Sequence, residues 1–344
     1  MARRDEPQWQ WSYPRRLRAR LGQSVEGCEN LSLLHDKFTP LANYAGRWSL
    51  GQDSGAKGDW LRVLTGEDRR EDPGWHQAVP AQVAARARWE ARVSAYQYGD
   101  KTPIFLLITA QPMVVGLGAE HVHETSLTLS SLTGAPMIPG SALKGLARTV
   151  ALLTLVMQLG IEEWNEDHAL LKPLDDLLML PEKKPNSNQN VEGDKVFDPD
   201  AKQITIEEVT IPLTAEAHKL MRAIRETFGW VGHAGEAIFF DGVYAGSTPP
   251  SFRVDIMNPH FGKYYGDPPK APSDDDSPIP VPYLTLDSKQ SFLFATAARR
   301  PEKADFVREF ARSWLRLGLL NLGVGAKTNQ GYGLFRTSKK KKRG

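Results

Sequence analysis

Apolar residues follow two patterns in the middle of the chain: a short continuous run and repeats at helical spacing. An apolar run, PIFLLITA, occupies residues 103–110 after a turn and predicts a buried strand. A Pro-Gly-Ser sequence then precedes a stretch of helical periodicity, which predicts a helix that begins at Ser141 and ends at Gly160. Helical periodicity returns at residues 162–180 and 214–228. This part of the chain therefore predicts one strand followed by three helices.

Short apolar segments between turn residues continue toward the C-terminus. Residues 235–246 and 251–259 predict the two strands of a hairpin, and residues 283–298 contain two more strand-like pieces. Residues 301–323 predict a helix, and residues 331–337 predict the last strand. Apart from insertions, these segments follow the order strand, helix, strand, strand, helix, strand, which is that of the ferredoxin-like, RRM-like α+β fold, where an antiparallel sheet carries two helices on one face. That plan alone fixes no function.

Polar and irregular segments divide the chain into regions. Residues 1–98 predict a partly helical N-terminal extension, and residues 99–338 predict the ferredoxin-like domain. We expect insertions in that domain at about 181–212 and 258–282, because both segments are polar or proline-rich and lack a core pattern. Residues 339–344 form a basic tail.

The extension contains one clear helical pattern. Residues 79–96 have helical character, and Trp89, Val93 and Tyr96 fall on one face at spacings of four and three. We expect this helix to pack on the domain or on a partner.

Composition and charge narrow the class of protein. The 344 residues are 41% hydrophobic and 24% charged, with no apolar run near the ~18 residues of a membrane span and no secretory signal pattern. We therefore expect a cytoplasmic protein without a membrane partner. Cys28 is the single cysteine, which excludes a zinc site built from several thiolates, and no cofactor is indicated. The net charge of +2 does not by itself indicate a nucleic-acid binder.

The segment Asn321–Phe335, NLGVGAKTNQGYGLF, carries four glycines and a Lys-Thr pair. It is not a nucleotide-binding P-loop, because Ala326 separates the second glycine from the lysine and the segment follows a helix instead of a strand. Its glycines allow close approach of backbone amides to a sugar-phosphate chain, or they serve turn geometry alone, and the pattern favours neither. The RNA-binding candidates in this loop are Gly323, Gly325, Lys327, Thr328, Asn329 and Gln330.

A second candidate site lies at the start of the first predicted helix. Ser141 begins this helix, and Lys144 and Arg148 lie one turn apart on its polar side. Cations near a helix N-terminus oppose the helix dipole, so their placement indicates a bound anion. A solvated basic face is the alternative, with about equal weight.

The proline-rich loop at 258–282 is the third candidate. His260, Lys263, Tyr264 and Tyr265 offer phosphate contacts and stacking faces for RNA bases. His260 could also act in acid-base catalysis, but no second partner for that chemistry is recognisable, so binding is favoured.

Two short sequences contain metal-ligand residue types but are weak evidence for a metal site. The His-x-His-Glu sequence at 121–124 has zinc-type ligands without a located third ligand, and Asp274 to Asp276 lie between proline and serine residues in a loop. We expect no metal at either place.

Three motifs resemble those of one known family. The segments IPGSALKGLART and GVGAKTNQGYGLF resemble the first-helix motif and the glycine loop of the RAMP proteins of CRISPR effector complexes. VDIMNPHFGKYYGD, followed by a proline-rich loop and PVPYLTL, resembles the family of the sixth RAMP subunit of the type III-B (Cmr) complex. The motifs span about 139–335, and residues 1–98 carry no resemblance.

The resemblance implies a non-catalytic, RNA-binding subunit of a ribonucleoprotein that acts in antiviral defence. Such a subunit caps the complex near the 3′ end of the guide RNA (crRNA) and supports recognition of target RNA. Its implied protein partners are the repeated backbone RAMP subunit, the small helical subunit and the terminal RAMP subunit. The alternative is a metal-independent RAMP endoribonuclease that acts on guide RNA.

Overall fold

The computed structural model describes most of the chain from residue 28 onward and one short piece before it. The described residues are 8–11, 28, 30–36, 40–44, 47–49, 54–66, 79–99, 102–121, 125–160, 171–183, 196–206, 209–258 and 280–338.

The described residues contain fifteen strands and eight α-helices. The strands are β1 (Gln8–Trp11), β2 (Pro40–Tyr44), β3 (Arg47–Ser49), β4 (Ile104–Thr109), β5 (Met137–Ile138), β6 (Gln203–Ile206), β7 (Val209–Pro212), β8 (Gly229–Trp230), β9 (His233–Ala234), β10 (Ala237–Phe239), β11 (Gly242–Tyr244), β12 (Phe252–Met257), β13 (Val281–Leu286), β14 (Ser291–Ala298) and β15 (Phe335–Arg336). The helices are α1 (Leu31–Asp36), α2 (Ser54–Thr65), α3 (Val79–Ser94), α4 (Gly140–Gln158), α5 (Leu171–Met179), α6 (Ala215–Phe228), α7 (Ala304–Val307) and α8 (Ser313–Asn321). A π-helical turn, Arg308–Arg312, joins α7 to α8, and short 3₁₀ turns lie at Pro301–Lys303 and Thr328–Gln330.

The central sheet has the strand order of a ferredoxin-like fold. Its strands follow the order β15-β4-β14-β11-β5, with β10 also paired to β14, and every pairing is antiparallel. Counted by the four strands of the motif, β4, β11, β14 and β15, this is the order 4-1-3-2. The predicted α+β ferredoxin-like fold is therefore confirmed, and β5 adds an edge strand to it.

One face of the sheet is covered by the two helices of the motif. Phe292 and Phe294 alternate along β14 toward this face and are fully buried. Leu143 on α4 and Leu315 on α8 belong to the same core cluster. The two helices touch closely, since a Cβ on Gly318 of α8 would lie 2.6 Å from a side-chain carbon of Leu146.

Helix α3 covers the other face of the sheet. Trp89 and Val93 pack with Phe240, Ala295 and Ala297, and the last two alternate with the core phenylalanines along β14. Tyr96, in the turn after α3, meets the Phe240 ring edge-on with centroids 5.7 Å apart. The predicted helix face is confirmed, and its partner is the protein's own sheet.

Helices α1 and α2 also pack on the domain. Leu34 and Leu64 are buried in the main core cluster, and α2 lies against β12 and β13. Asn30, just before α1, donates a hydrogen bond of 2.8 Å from Nδ2 to the Ser131 carbonyl. The described helices of the N-terminal region are thus integral to the core of the protein.

One sequence prediction of local structure is wrong. Residues 251–259 do not form a hairpin with 235–246, because β12 pairs along its whole length with β13 and β11 pairs with β14 and β5. The insertion expected at about 181–212 ends in the β6–β7 hairpin, which follows the polar stretch at 181–202. Its isoleucines are buried in the main core: Ile204, Ile206 and Ile211.

Helix α4 is long and apolar enough, by length and composition, to cross a membrane. Its buried residues, however, belong to the main core of the fold, among them Leu143, Ala147, Ala151 and Leu155. Packing within the domain accounts for its apolar character.

Candidate nucleic-acid interface

The glycine-rich loop between α8 and β15 uses its glycines for close approach of its own backbone. Gly323, Gly325 and Gly333 have φ angles of 81°, 96° and 72°. A Cβ would lie 2.2 Å from the Val114 carbonyl oxygen at Gly325 and 2.0 Å from the Val324 carbonyl oxygen at Gly333. No side chain fits these positions without backbone movement.

Backbone hydrogen bonds hold this loop to the segment that follows β4. Ala326 N–H donates to Val114 O at 2.8 Å, and Gly333 N–H donates to Pro112 O at 2.7 Å. Several loop amides are therefore used inside the protein. Close packing of the backbone accounts for these glycines and makes the loop a fixed support for its tip, while an RNA contact at Gly323 and Gly325 stays a prediction.

Lys327 stands at the start of the tip, Thr328–Gln330, in a left-handed conformation with φ 60° and ψ 27°. Its Nζ lies 4.5 Å from the centroid of the buried Tyr283 ring, a cation-π contact that fixes the ammonium group. Asn329 and Gln330 are exposed and Thr328 is half-buried. The tip therefore presents one cation and three polar side chains on a rigid base.

A hydrogen-bonded network lies beneath Lys327. The Tyr283 hydroxyl donates to the Tyr332 hydroxyl at 3.2 Å, Tyr332 donates to Asp255, and Arg253 is ion-paired to the same carboxylate at 3.2 Å. Burial opposes ionisation of Asp255, but the hydrogen bonds and the charges of Arg253 and Lys327 hold its pKa below the usual value. Burial is also the main cause that raises the pKa of Tyr283. The carboxylate therefore orients the phenols and offsets part of the positive charge.

The start of α4 differs from the sequence prediction. The helix begins at Gly140, not at Ser141, and Ser141 is exposed without a capping bond from its side chain. The Gly140 N–H donates to Asp241 Oδ1 at 2.7 Å. The protein's own carboxylate therefore occupies part of this N-terminus, and an RNA contact at Ser141 stays a prediction.

The cations one and two turns into α4 behave differently from each other. Arg148 is ion-paired to Asp175 of α5, with Nε and Oδ1 2.6 Å apart, and its guanidinium lies over the Phe228 ring at 5.5 Å. Lys144 is exposed, and partial desolvation together with the charges of Arg148 and Arg299 lowers its pKa. Among the described residues, no carboxylate contributes to that shift. Lys144 is therefore the better candidate for an anion contact.

The structure does not join the predicted residues into one site. Lys144 lies with Arg148 and Arg299, while Lys327 lies with Tyr283 and Asp255, and no described contact links the two groups. We name them the α4 cationic cluster (Lys144, Arg148 and Arg299) and the loop tip (residues 327–330). The remaining candidates, His260, Lys263, Tyr264 and Tyr265, lie outside the described residues, as do residues 122–124, 274–276 and 339–344.

Sequence reasoning missed Arg299, Asp241 and Tyr283. Arg299 and Arg300 follow β14 directly, and a pair of arginines at a strand end beside a helix is a detectable signal. Asp241 and Tyr283 gave no such signal, because each acts on residues far away in the sequence.

The fold and these two groups define the class first: an α+β protein of ferredoxin-like fold, with a cationic helix surface and a glycine-rich loop after its last helix. The model of the RAMP superfamily matches residues 107–336, from within β4 to the end of β15. The chain belongs to the RAMP superfamily, which confirms the family resemblance seen in the sequence.

One curated relative and two solved structures are similar to this chain. The CRISPR system Cmr subunit Cmr6 of Pyrococcus furiosus is 35% identical over 231 residues, and the match covers 65% of this chain and 65% of that protein. The crystal structure of Cmr6 from Pyrococcus furiosus aligns with 68% of this chain and 97% of its own, at 30% identity and a TM-score of 0.39. A chain in the cryo-EM structure of the type III-B Cmr-beta complex bound to cognate target RNA aligns with 82% of this chain and 71% of its own, at 16% identity and a TM-score of 0.46.

Proposed function

We propose that this protein is a non-catalytic, RNA-binding subunit of a type III-B CRISPR (Cmr) ribonucleoprotein. It binds guide RNA near its 3′ end and supports recognition of target RNA in antiviral defence. Membership of the RAMP superfamily and the 35% identity to Cmr6 support this assignment.

The α4 cationic cluster is the observation that carries the RNA-binding part of the proposal. Lys144 and Arg299 are exposed, the charges of Arg148 and Arg299 act on Lys144 to lower its pKa, and Arg148 is paired with Asp175. Like charges at an exposed surface repel one another weakly, and a bound anion offsets that repulsion. A backbone phosphate is such an anion, and its contact carries no sequence information.

A salt titration tests this contact. We expect Lys144→Ala to weaken RNA binding equally for different sequences and to reduce the slope of log K against log salt by about 0.7 to 0.9 per phosphate lost. Lys172→Ala is the matched control, because Lys172 is exposed on neighbouring α5 and is paired with Asp176 of the same helix. Fluorescence anisotropy with labelled RNA measures the affinity and the salt dependence of both variants. Unchanged affinity and slope in Lys144→Ala would contradict the proposal.

Lys144 is a cleaner probe than the other predicted cations. Arg148→Ala would also leave Asp175 without its partner, and Lys327→Ala would remove the contact with Tyr283. A loss of binding in either variant mixes RNA contact with a change in folding.

The proposed partners are guide RNA, target RNA and neighbouring Cmr subunits, especially the repeated backbone subunit, the small helical subunit and the terminal RAMP subunit. Copurification from native cells tests this part. We expect a small RNA of defined length and the other Cmr subunits to follow the protein. Recovery of the protein alone under the same salt would contradict it.

The endoribonuclease alternative depends on His260. We expect the isolated protein to bind a labelled guide RNA without cutting it. Cleavage by the wild-type protein that vanishes in His260→Ala, while binding is kept, would overturn the non-catalytic assignment.

A further inference from the structure

Two histidines and an aspartate meet where α1 touches the segment that follows β4. His35 and Asp36 end α1, and His121 comes from the segment after β4. Asp36 Oδ1 lies 2.6 Å from His35 Nδ1 and 3.3 Å from His121 Nε2. One possible ligand atom from each of the three residues lies within 4.8 Å of the others. The two imidazoles stack with their centroids 4.4 Å apart.

The surrounding structure orients these side chains. Ser32 Oγ donates to Asp36 Oδ2 at 2.9 Å, one helical turn earlier, so the other carboxylate oxygen faces both rings. His35 is 1% exposed, and the side chain of His121 is 9% exposed. Leu31 and Leu34 fix α1 in the core on the same helix. The three donors are therefore held in place by packing and by a hydrogen bond behind the carboxylate, as ligands of protein metal sites commonly are.

We propose that His35, Asp36 and His121 bind one divalent cation of the zinc class through Nδ1, Oδ1 and Nε2. Imidazole nitrogens and a carboxylate oxygen are zinc ligands, and bond lengths of about 2.1 Å place tetrahedral ligands about 3.4 Å apart. The His121 to Asp36 distance already matches this spacing, and the His35 to Asp36 distance needs to open by less than about 1 Å. Three protein ligands leave one tetrahedral position for solvent.

The sequence did not reveal this site, because His121 had no third ligand near it along the chain. Folding supplies His35 and Asp36 from the N-terminal region, outside the residues matched by the RAMP family. The bound ion would tie this region to the ferredoxin-like domain. Buried Lys57 places positive charge near His35 and opposes a bound cation, and the Asp36 carboxylate is the ligand whose negative charge offsets this repulsion.

Zinc titration of untagged, EDTA-stripped full-length protein against a chromogenic chelator tests the site. We expect one zinc per chain, a rise in melting temperature with added zinc, and at least about 100-fold weaker binding in Asp36→Asn and His121→Asn. His218→Asn, on α6 and away from the cluster, is the control and should bind zinc as the wild type does. Absence of binding in the wild type, or equal binding in wild type and His121→Asn, would overturn the proposal.

Cobalt substitution keeps the test valid if the asparagine variants fold poorly. We expect Co²⁺ to give the intense visible bands of a four-coordinate site in the wild type. His121→Cys should retain the ion and add a thiolate-to-cobalt charge-transfer band in the near ultraviolet. A purely structural hydrogen-bonded cluster gives neither signal. A wild-type cobalt spectrum identical to that of six-coordinate aqueous Co²⁺ would contradict the site.

Discussion

Gly325 shows how single residues fix the glycine-rich loop. Its φ of 96° lies in the left-handed region, and the space that a Cβ would need is occupied by the Val114 carbonyl oxygen. The loop therefore sits directly on the segment after β4, which places Lys327 over Tyr283. Any other residue at position 325 would have a strained φ angle, and its Cβ would also collide with the Val114 carbonyl oxygen.

We expect Gly325→Ala to lower the free energy of unfolding by at least about 2 kcal/mol, because it combines an unfavourable φ with a backbone clash. Gly145→Ala is the control: Gly145 is exposed on α4, and a Cβ there meets nothing within 4 Å. That change should stabilise the protein by about 0.5–1 kcal/mol. Urea unfolding measures both. Equal stability of Gly325→Ala and the wild type would contradict this account of the loop.

The sequence identifies this loop but not the purpose of its glycines. Their number and the displaced lysine exclude a P-loop, yet the decision between RNA approach and turn geometry depends on Val114, which lies far away along the chain. The N-terminus of α4 could not be interpreted from local sequence either, because it is capped by Asp241, which lies between β10 and β11. Local patterns locate such residues, and only the fold supplies their partners.

At the scale of elements, α3 was predictable as a helix because its apolar residues repeat at helical spacing. Its role was not, because Phe240 and the β14 alanines that it covers lie far away in the sequence. For β12, the strand itself was predicted but its pairing partner was predicted wrongly. The nearest strand in sequence was taken as its partner, whereas pairing runs across the proline-rich loop to β13.

Trp89→Ala should lower the free energy of unfolding by about 3–5 kcal/mol, because it removes the largest side chain that α3 buries against the sheet. Val83→Ala on the same helix is the control, since Val83 is 40% exposed and alanine favours helices. Its effect should stay within about 0.5 kcal/mol. If both variants unfold at the same denaturant concentration, α3 is not part of the cooperative core.

At the scale of the whole molecule, the order of elements was sufficient to predict the ferredoxin-like fold. The four core strands and the helices of the motif follow in the predicted sequence, and the sheet has the 4-1-3-2 order of that fold. The additions were harder: β5, the β6–β7 hairpin and the packing of α3 on the second face depend on contacts that no short pattern encodes.

The proline-rich loop belongs to this scale, because we propose that it reaches RNA or a neighbouring subunit. Its two ends are joined by the complete β12–β13 ladder, which α2 supports. Deletion of residues 266–280 should therefore leave the melting temperature nearly unchanged and impair complex assembly or target-RNA binding. Tyr264→Ala with Tyr265→Ala should cost about 1–3 kcal/mol of RNA binding per stacked base lost. Normal assembly and normal RNA binding in the deletion variant would show that the loop has no such role.

The central position of β4 has a consequence for synthesis on the ribosome. Both of its sheet partners, β14 and β15, lie near the other end of the described chain, so β4 leaves the ribosome long before either exists. At about 5–20 residues per second, the wait for β15 is roughly 10–45 s. During that time Phe105 and Leu107, buried in the finished protein, lack their final neighbours on β14 and β15. The nascent chain therefore needs protection from aggregation during most of its synthesis, and chaperone dependence should be strongest before β14 emerges.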